Sequence, residues 1–453
     1  MKLQIAQLRE LKSESQIRKR LGRLPKELHT LYDEIWEQIQ EDENENMAII
    51  AERAIQILSC AFQPLSPDKL LVAVCQDPET DTVQEDINID IDYVLDACRS
   101  LLIVDHHEKI CRLSHLSVYE YFEARGWSES PPHAFMAEVC LKLVIHTASA
   151  DFCMLSEPGH GMSGISEFKI YNCASLYGNT ATKKESDLRI FSLVPYAYYH
   201  WPLHARACDK EKGSYSYERL ANRVRNFFGP MNEGSVAYDR WKLVCSHWKY
   251  TTGRYELYWG FRPQGPPVNV MTFFGFDSIL PYWWESGFSD VNSDDYGELL
   301  KLAIQGGSLP KVKWLLESGV VCDGEAVMYA VECNYLAITK SLLEHGVDSD
   351  MSRLFRVPAL RGNTDMVQLL VDFGADIRRS GALASVADKF SPHQERMLSF
   401  LLKLGADPSI DFDFLPWCAG GALAIAVHRG NERVTKLILE SAPFLARAKN
   451  DKR

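Results

Sequence analysis

Apolar positions in the last third of the chain recur in six blocks that share one spacing. In each block an adjacent apolar pair lies eight and nine positions after the first residue, and in five blocks a glycine lies twelve positions after it. The blocks begin at Gly275, Gly307, Asn334, Gly362, His393 and Gly430, and the apolar pairs are Trp283-Trp284, Leu315-Leu316, Leu342-Leu343, Leu370-Val371, Leu401-Leu402 and Ile438-Leu439. This spacing fills one face of a short helix. The glycine then supplies the left-handed residue that ends the helix.

Three of the blocks continue past the glycine with a small apolar residue and an aspartate, at 346–348, 374–376 and 405–407. An aspartate there can hydrogen-bond to nearby backbone and hold a tight turn. A single helix pair cannot bury its apolar face alone, so the copies are expected to stack. Their spacing brackets the ankyrin period of about 33 residues, and the pattern resembles the ankyrin repeat.

The first-helix half of each block matches ankyrin less well. The Thr-Pro-Leu-His signature is missing from the sequence, and small residues are kept only at Ala303, Ala330 and Ala426. Pro358 falls inside an expected first helix and predicts a distorted unit. The alternative is a non-repetitive helical bundle in which the leucine spacing is coincidental.

The first quarter of the chain predicts a different arrangement. An apolar stripe from Leu24 to Ile39 predicts a helix, and an acidic stretch at 41–46 predicts a solvated hinge. The next segment predicts helices over 49–61, from Pro67 onward and over 91–101, then a hairpin of strands 102–105 and 109–113 around His106-His107. Three helices followed by a hairpin form a winged-helix arrangement. Ser117 and Glu120 have the spacing of a capping box that opens one more helix.

These patterns predict a mainly α protein with four parts. They are a helical segment at 1–46, a winged helix at 47–126, a helical connector at 127–261 and about six degenerate ankyrin-like repeats forming an α-solenoid at 262–453. In the connector, helices are predicted near Phe135–Ala148, Ser192–His204 and Tyr217–Phe228, with loops at 155–165, 178–187 and 209–215.

Charge and cysteine content argue against some classes of function. The 453-residue chain has a net charge of -12, and its longest basic run is Arg18-Lys19-Arg20. Nucleic-acid binding is therefore not expected, because phosphate contacts need a basic face. The 12 cysteines form no Cys-x-x-Cys pair, which argues against a zinc cluster. Without an apolar signal core or an 18-residue apolar stretch, the sequence predicts a cytoplasmic protein with reduced cysteines and no membrane partner.

Several segments resemble fungal NACHT–ankyrin proteins, which are NLR-like signalling ATPases. The similar stretches are Leu21–Leu28 with Tyr32–Ile35, Gln63–Ser66, Arg112–Tyr121, His133–Leu141 and Tyr199–Ala205, followed by the ankyrin-like blocks. Arg112–Tyr121 is similar to the winged-helix module of that family, sometimes labelled the GPI inositol-deacylase type. The resemblance implies that ankyrin repeats sense a partner while a NACHT domain switches with nucleotide.

The phosphate-binding motif of a NACHT core, Gly-x-x-x-x-Gly-Lys-Ser/Thr, is missing from this sequence. We therefore expect the chain to begin after the ATPase core, through a truncated gene model or a degenerate paralogue. The resemblance implies that His115 corresponds to a histidine that reaches the β-phosphate of ADP. The alternative is that His115 packs between the hairpin and the next helix.

Other motifs predict structure rather than chemistry. Gly159–Gly164 spells a dinucleotide fingerprint but lacks the strand and helix that this motif needs, so a loop is expected. Trp283-Trp284 is expected to seal one end of the repeats. Since solenoid stacking aligns loop tips into one extended face, partner-binding candidates are Asp323, Ser349, Asp350, Arg378, Arg379 and Ser380.

The sequence thus predicts a non-enzymatic protein-interaction module, the sensor half of a NACHT–ankyrin protein, without cofactor or metal. The alternative is a regulatory part of a NACHT ATPase, with His115 meeting ADP held by a P-loop in another polypeptide. DNA binding by the winged helix is disfavoured, since basic residues are missing around 91–101.

Overall fold

The computed structural model describes residues 28–42, 44–84, 87–127, 131–149, 152–155, 169–172, 189–208, 217–231, 233–252, 263–277, 279–280, 296–346, 351–388, 393–410, 421–443 and 445. The described chain is mainly helical, as predicted. It divides into two compact units, Met1–Asp290 (unit 1) and Val291–Arg453 (unit 2). Among the described helices, none combines the length and apolar content needed to cross a bilayer.

The described part of unit 1 starts with four helices, a hairpin and a fifth helix. These are α1 (Leu28–Gln40), α2 (Glu45–Cys60), α3 (Pro67–Val74), α4 (Ile91–Ala97), β1 (Leu102–Asp105), β2 (Ile110–Leu113) and α5 (Leu116–Arg125). The two strands are antiparallel, and an isolated antiparallel bridge joins Leu65 to Cys111 of β2. The residues on the inner faces of α2 and α3 are buried, and both helices contact β2.

The start of α5 differs from the capping-box prediction. The residue that caps the helix is His115, whose ring nitrogen accepts a hydrogen bond from the backbone N–H of Ser117. Ser117 lies inside the helix, and its hydroxyl instead contacts Tyr32 of α1 at 2.7 Å. The expected helix start is therefore right to within two residues, but the expected capping side chain is wrong.

The rest of unit 1 is organised around α6. Its elements are α6 (Pro132–Ser149), β3 (Phe152–Leu155), β4 (Lys169–Asn172), α7 (Val194–Ala207), α8 (Glu218–Phe228), α9 (Val236–Thr252) and α10 (Pro267–Phe274). Helices α2, α7, α8 and α9 all contact α6, whose inner face is fully buried. The three predicted connector helices are present. The antiparallel pair β3–β4 was not predicted, because the sequence indicated only helices and loops there.

Unit 2 consists of helix pairs in chain order. The pairs are α11 (Tyr296–Gly306) with α12 (Leu309–Glu317), α13 (Gly324–Glu332) with α14 (Leu336–Glu344), α15 (Arg356–Arg361) with α16 (Thr364–Asp372), α17 (Ala382–Ala387) with α18 (Gln394–Lys403), and α19 (Gly421–His428) with α20 (Glu432–Ser441). The first helices contact one another in the series α11, α13, α15, α17, α19. Among the second helices, α12 contacts α14, α14 contacts α16, and α18 contacts α20.

The repeated glycines have the conformation that the pattern predicts. Twelve positions into their blocks, Gly319, Gly346, Gly374 and Gly405 follow a helix with φ of 89°, 80°, 86° and 88°. The two described turn aspartates also accept backbone N–H groups, Asp376 from Arg378 at 3.0 Å and Asp407 from Ser409 at 2.8 Å, and Asp348 lies outside the described residues. Pro358 accompanies the expected distortion, since a 3-10 turn at Met351–Phe355 precedes the six-residue α15.

The first block differs from the other five. Gly275 ends α10, which belongs to unit 1 and contacts α7. Phe274 stacks on Phe276 with ring centroids 5.8 Å apart, and Phe276 stacks on Trp201 of α7 at 5.9 Å. The described start of this block therefore packs in the core of unit 1. Trp283-Trp284, like Gly159–Gly164, lies outside the described residues.

Candidate functional site

One helix of unit 2 has apolar side chains on its exposed face as well as on its buried face. In α13 the buried positions are taken by Ala326, Val327, Ala330 and Val331. Met328 and Tyr329 lie on the other side and are 42% and 37% exposed. Val321, in the turn before the helix, is 89% exposed. Methionine and tyrosine are enriched in protein interfaces, so this surface has the composition of a binding site.

Acidic residues border this apolar surface. Glu325 and Glu332 are exposed and lie three positions on either side of the Met328-Tyr329 pair, on the same face of the helix. We call Val321, Glu325, Met328, Tyr329 and Glu332 the α13 face. Its apolar centre and acidic border suit a partner that brings apolar side chains flanked by positive charge.

The phenol of Tyr329 and the thiol of the neighbouring Cys322 both stay neutral at physiological pH. Burial, together with a hydrogen bond to Cys333, raises the pKa of Tyr329 to about 12. Burial and the nearby Asp323 raise the pKa of the Cys322 thiol to about 11. The phenol therefore offers a neutral hydroxyl, and the thiol is not activated as a nucleophile.

The predicted loop-tip residues lie in turns before first helices. Asp323 is exposed and caps α13, its carboxylate accepting a hydrogen bond from the N–H of Ala326 at 2.8 Å. Arg378 and Arg379 are exposed in a 3-10 turn before α17, and the Ser380 hydroxyl donates to the carbonyl of Ile377 at 2.8 Å. Ser349 and Asp350 lie outside the described residues.

Met328 and Tyr329 were missed by the sequence analysis, although a signal for them exists. Four apolar residues of α13 already fill a helical stripe at positions 326, 327, 330 and 331. A second apolar pair between them has to point away from that stripe, since adjacent helical residues differ by about 100°. Counting apolar residues beyond those needed for one face would have identified the α13 face.

His115 is exposed at the start of α5. Its Nδ1 accepts the N–H of Ser117 at 3.2 Å and lies 2.7 Å from the Ser117 hydroxyl. The neutral ring then carries its proton on Nε2. All hydrogen bonds that the described residues make to this ring involve Nδ1. The ring is thus exposed rather than buried, and its contact with a nucleotide stays a prediction.

A cleft of about 340 Å³ lies beside His115. Its lining includes Phe62, Arg112, Leu116 and Tyr119, in addition to His115. Leu116 is 69% exposed and Phe62 is 45% exposed. The cleft thus combines two exposed apolar groups, one guanidinium group and one imidazole.

The sequence was also compared with known proteins. No protein-family model matches this chain, and no curated protein matches it.

Proposed function

We propose that this chain is a non-enzymatic protein-interaction module that captures a protein partner on the first helices of unit 2. The observation that supports the proposal best is the α13 face, where Met328 and Tyr329 are exposed on a helix whose other side is buried and Val321 is exposed in the turn before it. Large exposed apolar side chains gathered at one place are typical of interaction sites. The partner-binding loop tips of the sequence analysis adjoin this face through Asp323.

In this proposal unit 2 is an ankyrin-like solenoid. Its support is the sequence of helix pairs in which first helices contact first helices, and the left-handed glycines at a fixed position. Such stacks present one extended surface, because each layer is held by its neighbours. The chain would act in the cytoplasm as the sensor half of an NLR-like NACHT–ankyrin protein.

The segment 47–126 is assigned in the same proposal to a winged helix. The order α2, bridge at Leu65, α3, α4, β1, β2 supports this assignment, since the bridge pairs the segment between α2 and α3 with the hairpin. The third helix, α4, exposes Asp92 and Asp96. Negative charge on the helix that would enter a DNA groove opposes phosphate contacts, so we do not propose nucleic-acid binding.

Site-specific photocrosslinking tests the partner surface. A photoreactive amino acid replaces Met328 in the full-length protein, and the matched control carries it at Leu243 of α9, which is 62% exposed in unit 1. We expect discrete protein adducts from position 328 and none from position 243. Competition by wild-type protein should remove the adducts. Equal labelling from both positions, or no adduct from position 328, would disprove the proposal.

A second candidate function is nucleotide sensing in trans, as the regulatory part of a NACHT ATPase. The observation in its favour is that His115 is exposed with Nδ1 engaged by Ser117, which leaves Nε2 as the donor of the neutral ring. A donor held in place suits a phosphate oxygen. In this candidate the P-loop belongs to another polypeptide.

Isothermal titration with ADP separates the two candidates. In a mixture of this chain with a NACHT ATPase, ADP binding that His115→Asn weakens at least tenfold would support the second candidate function. The asparagine keeps a capping side chain at the start of α5 and removes the imidazole. His107→Asn, at the exposed hairpin tip, is the control. Affinity that is unchanged by His115→Asn would eliminate the nucleotide role.

A further inference from the structure

Three side chains of types that bind metal ions meet inside unit 1. Cys60 is the last residue of α2, His133 is the second residue of α6, and His204 is in the last turn of α7. Their ligand atoms all lie within 4.8 Å of one another. The Nδ1 atoms of the two histidines are 2.9 Å apart. Because α6 contacts both other helices, the three positions are held by the packing of the unit.

Neighbouring groups orient these side chains. The Nε2 atom of His204 lies 2.8 Å from the hydroxyl of Tyr196, which also accepts the backbone N–H of Phe62 at 3.1 Å. The Phe62 ring lies 4.6 Å from the His204 ring and 5.4 Å from the His133 ring, between centroids. A histidine that binds a metal through one nitrogen usually donates from the other to a fixed partner, and Tyr196 is placed to be that partner.

We propose that Cys60 Sγ, His133 Nδ1 and His204 Nδ1 bind one zinc-class divalent ion. Sulfur and imidazole donors are those that Zn²⁺ prefers. At zinc bond lengths, tetrahedral ligand atoms are about 3.3 Å apart for two nitrogens and about 3.6 Å for nitrogen and sulfur. The His133–His204 distance of 2.9 Å would therefore open slightly, and the distances to Sγ, which are at most 4.8 Å, would close by about 1 Å at most. A fourth position remains for water or a protein ligand.

Metal binding would replace an existing arrangement of protons. Without metal, the hydroxyl of Tyr196 hydrogen-bonds to His204 Nε2, and one proton lies between the Nδ1 atoms of His204 and His133. The thiol of Cys60 points to the carbonyl of Pro132 at 3.3 Å. On binding, the thiol releases its proton to solvent as the S–Zn bond forms. The proton between the two Nδ1 atoms moves to the Nε2 of the histidine that carried it, which frees both Nδ1 lone pairs for the ion.

The cysteines lack paired spacing, which argues against a zinc site whose ligands share one loop. Here His133 and His204 are 71 positions apart, and three helices bring the ligands together. The site is also largely enclosed, since His204 is fully buried and Cys60 is 7% exposed.

Cobalt titration of the full-length, chelator-treated protein tests the site. We expect one Co²⁺ per chain, with a thiolate-to-cobalt charge-transfer band that Zn²⁺ abolishes by displacement. Cys60→Ser should remove the band and weaken binding at least a hundredfold. The control is Cys75→Ser at the half-buried C-cap of α3, which should leave the band unchanged. No saturable band, or the same band in folded Cys60→Ser, would overturn the proposal.

A second variant keeps the test decisive if Cys60→Ser does not fold. His133→Gln changes a half-buried residue in the first turn of α6, and circular dichroism checks that its helices are kept. Its Co²⁺ and Zn²⁺ affinities should also fall at least a hundredfold, whereas unchanged affinity would refute the site. Tyr196→Phe should lower the affinity by about 10- to 100-fold with the charge-transfer band intact, as expected for a positioning residue.

Discussion

At the residue scale, Gly362 and Gly374 illustrate two different demands on a repeated glycine. Both have positive φ, at 75° and 86°. A Cβ built on Gly362 would lie 3.1 Å from the Cβ of His393, whereas one built on Gly374 would have no atom within 4 Å. The two positions therefore share a conformational requirement and differ in the space around them.

We predict that Gly374→Ala lowers the free energy of unfolding by about 1 kcal/mol, for the left-handed backbone alone. Gly362→Ala should lower it by clearly more, because His393 must also move. Urea unfolding of the two full-length variants, followed by circular dichroism, measures both effects. Equal losses would show that the contact with His393 contributes nothing.

Lys142 is a second residue whose surroundings change a property of its side chain, in this case the pKa. It is 2% exposed, and its ammonium donates to the Asp77 carbonyl at 2.8 Å and to the Thr80 hydroxyl at 3.1 Å. Burial, with repulsion from Arg223, lowers the pKa of Lys142 from 10.5 to about 8. The unfolded chain therefore binds more protons than the folded chain between these two values, and this residue's contribution to stability rises with pH there.

We predict that the unfolding free energy of the wild type, minus that of Lys142→Met, increases between pH 8 and pH 10.5. The full increase is up to about 3 kcal/mol, at about 1.4 kcal/mol per unit of pKa. Below pH 8 the difference should be constant. Urea unfolding of both proteins in parallel provides the measurement, and a difference that does not change with pH would contradict the lowered pKa.

At the element scale, α5 is fixed at its start by a short series of hydrogen bonds. Tyr32 of α1 contacts the Ser117 hydroxyl, which contacts Nδ1 of His115. His115 in turn caps α5. The His115 side chain therefore stabilises the start of α5.

We predict that His115→Ala lowers the free energy of unfolding by about 1 kcal/mol, the usual effect of losing a capping side chain. His115→Asn should restore most of it, since asparagine is a good capping residue. Urea unfolding of the full-length variants distinguishes them. If the alanine variant is as stable as the wild type, the ring does not cap the helix in solution.

Elements that depend on local chemistry could be predicted from the sequence, and those that depend on distant contacts could not. The glycine at the end of a repeat helix is readable because left-handed backbone favours glycine wherever the helix lies. No comparable local sequence signal predicted the β3–β4 pair. The meeting of Cys60 with His133 and His204 depends on how α2, α6 and α7 pack. The exposure of Met328 and Tyr329 has a local signal that is less direct than a glycine. It follows from the number of apolar residues in α13, which is larger than one buried face can hold.

At the scale of the whole molecule, each of the two units has a core of its own. In unit 1 the ring of Trp201 contacts those of Phe227 and Trp241 at centroid distances of 5.0 and 5.6 Å, and Trp201 and Trp241 are fully buried. In unit 2 the core is distributed over the helix pairs, with Leu342 of α14 and Leu370 of α16 fully buried. Separate cores predict two unfolding transitions rather than one.

A pair of leucines in α14 tests this prediction. Leu342→Ala removes a fully buried side chain and should lower the stability of unit 2 by about 2–5 kcal/mol, with the transition of unit 1 unchanged. Leu336→Ala, at a position 42% exposed in the same helix, should change neither transition appreciably. Tryptophan fluorescence reports mainly on unit 1, because Trp201 and Trp241 lie there, while far-ultraviolet circular dichroism reports on both. If Leu342→Ala shifts both transitions together, the two units unfold as one cooperative body. The α13 face would then belong to that body and not to a stack of helices that unfolds independently.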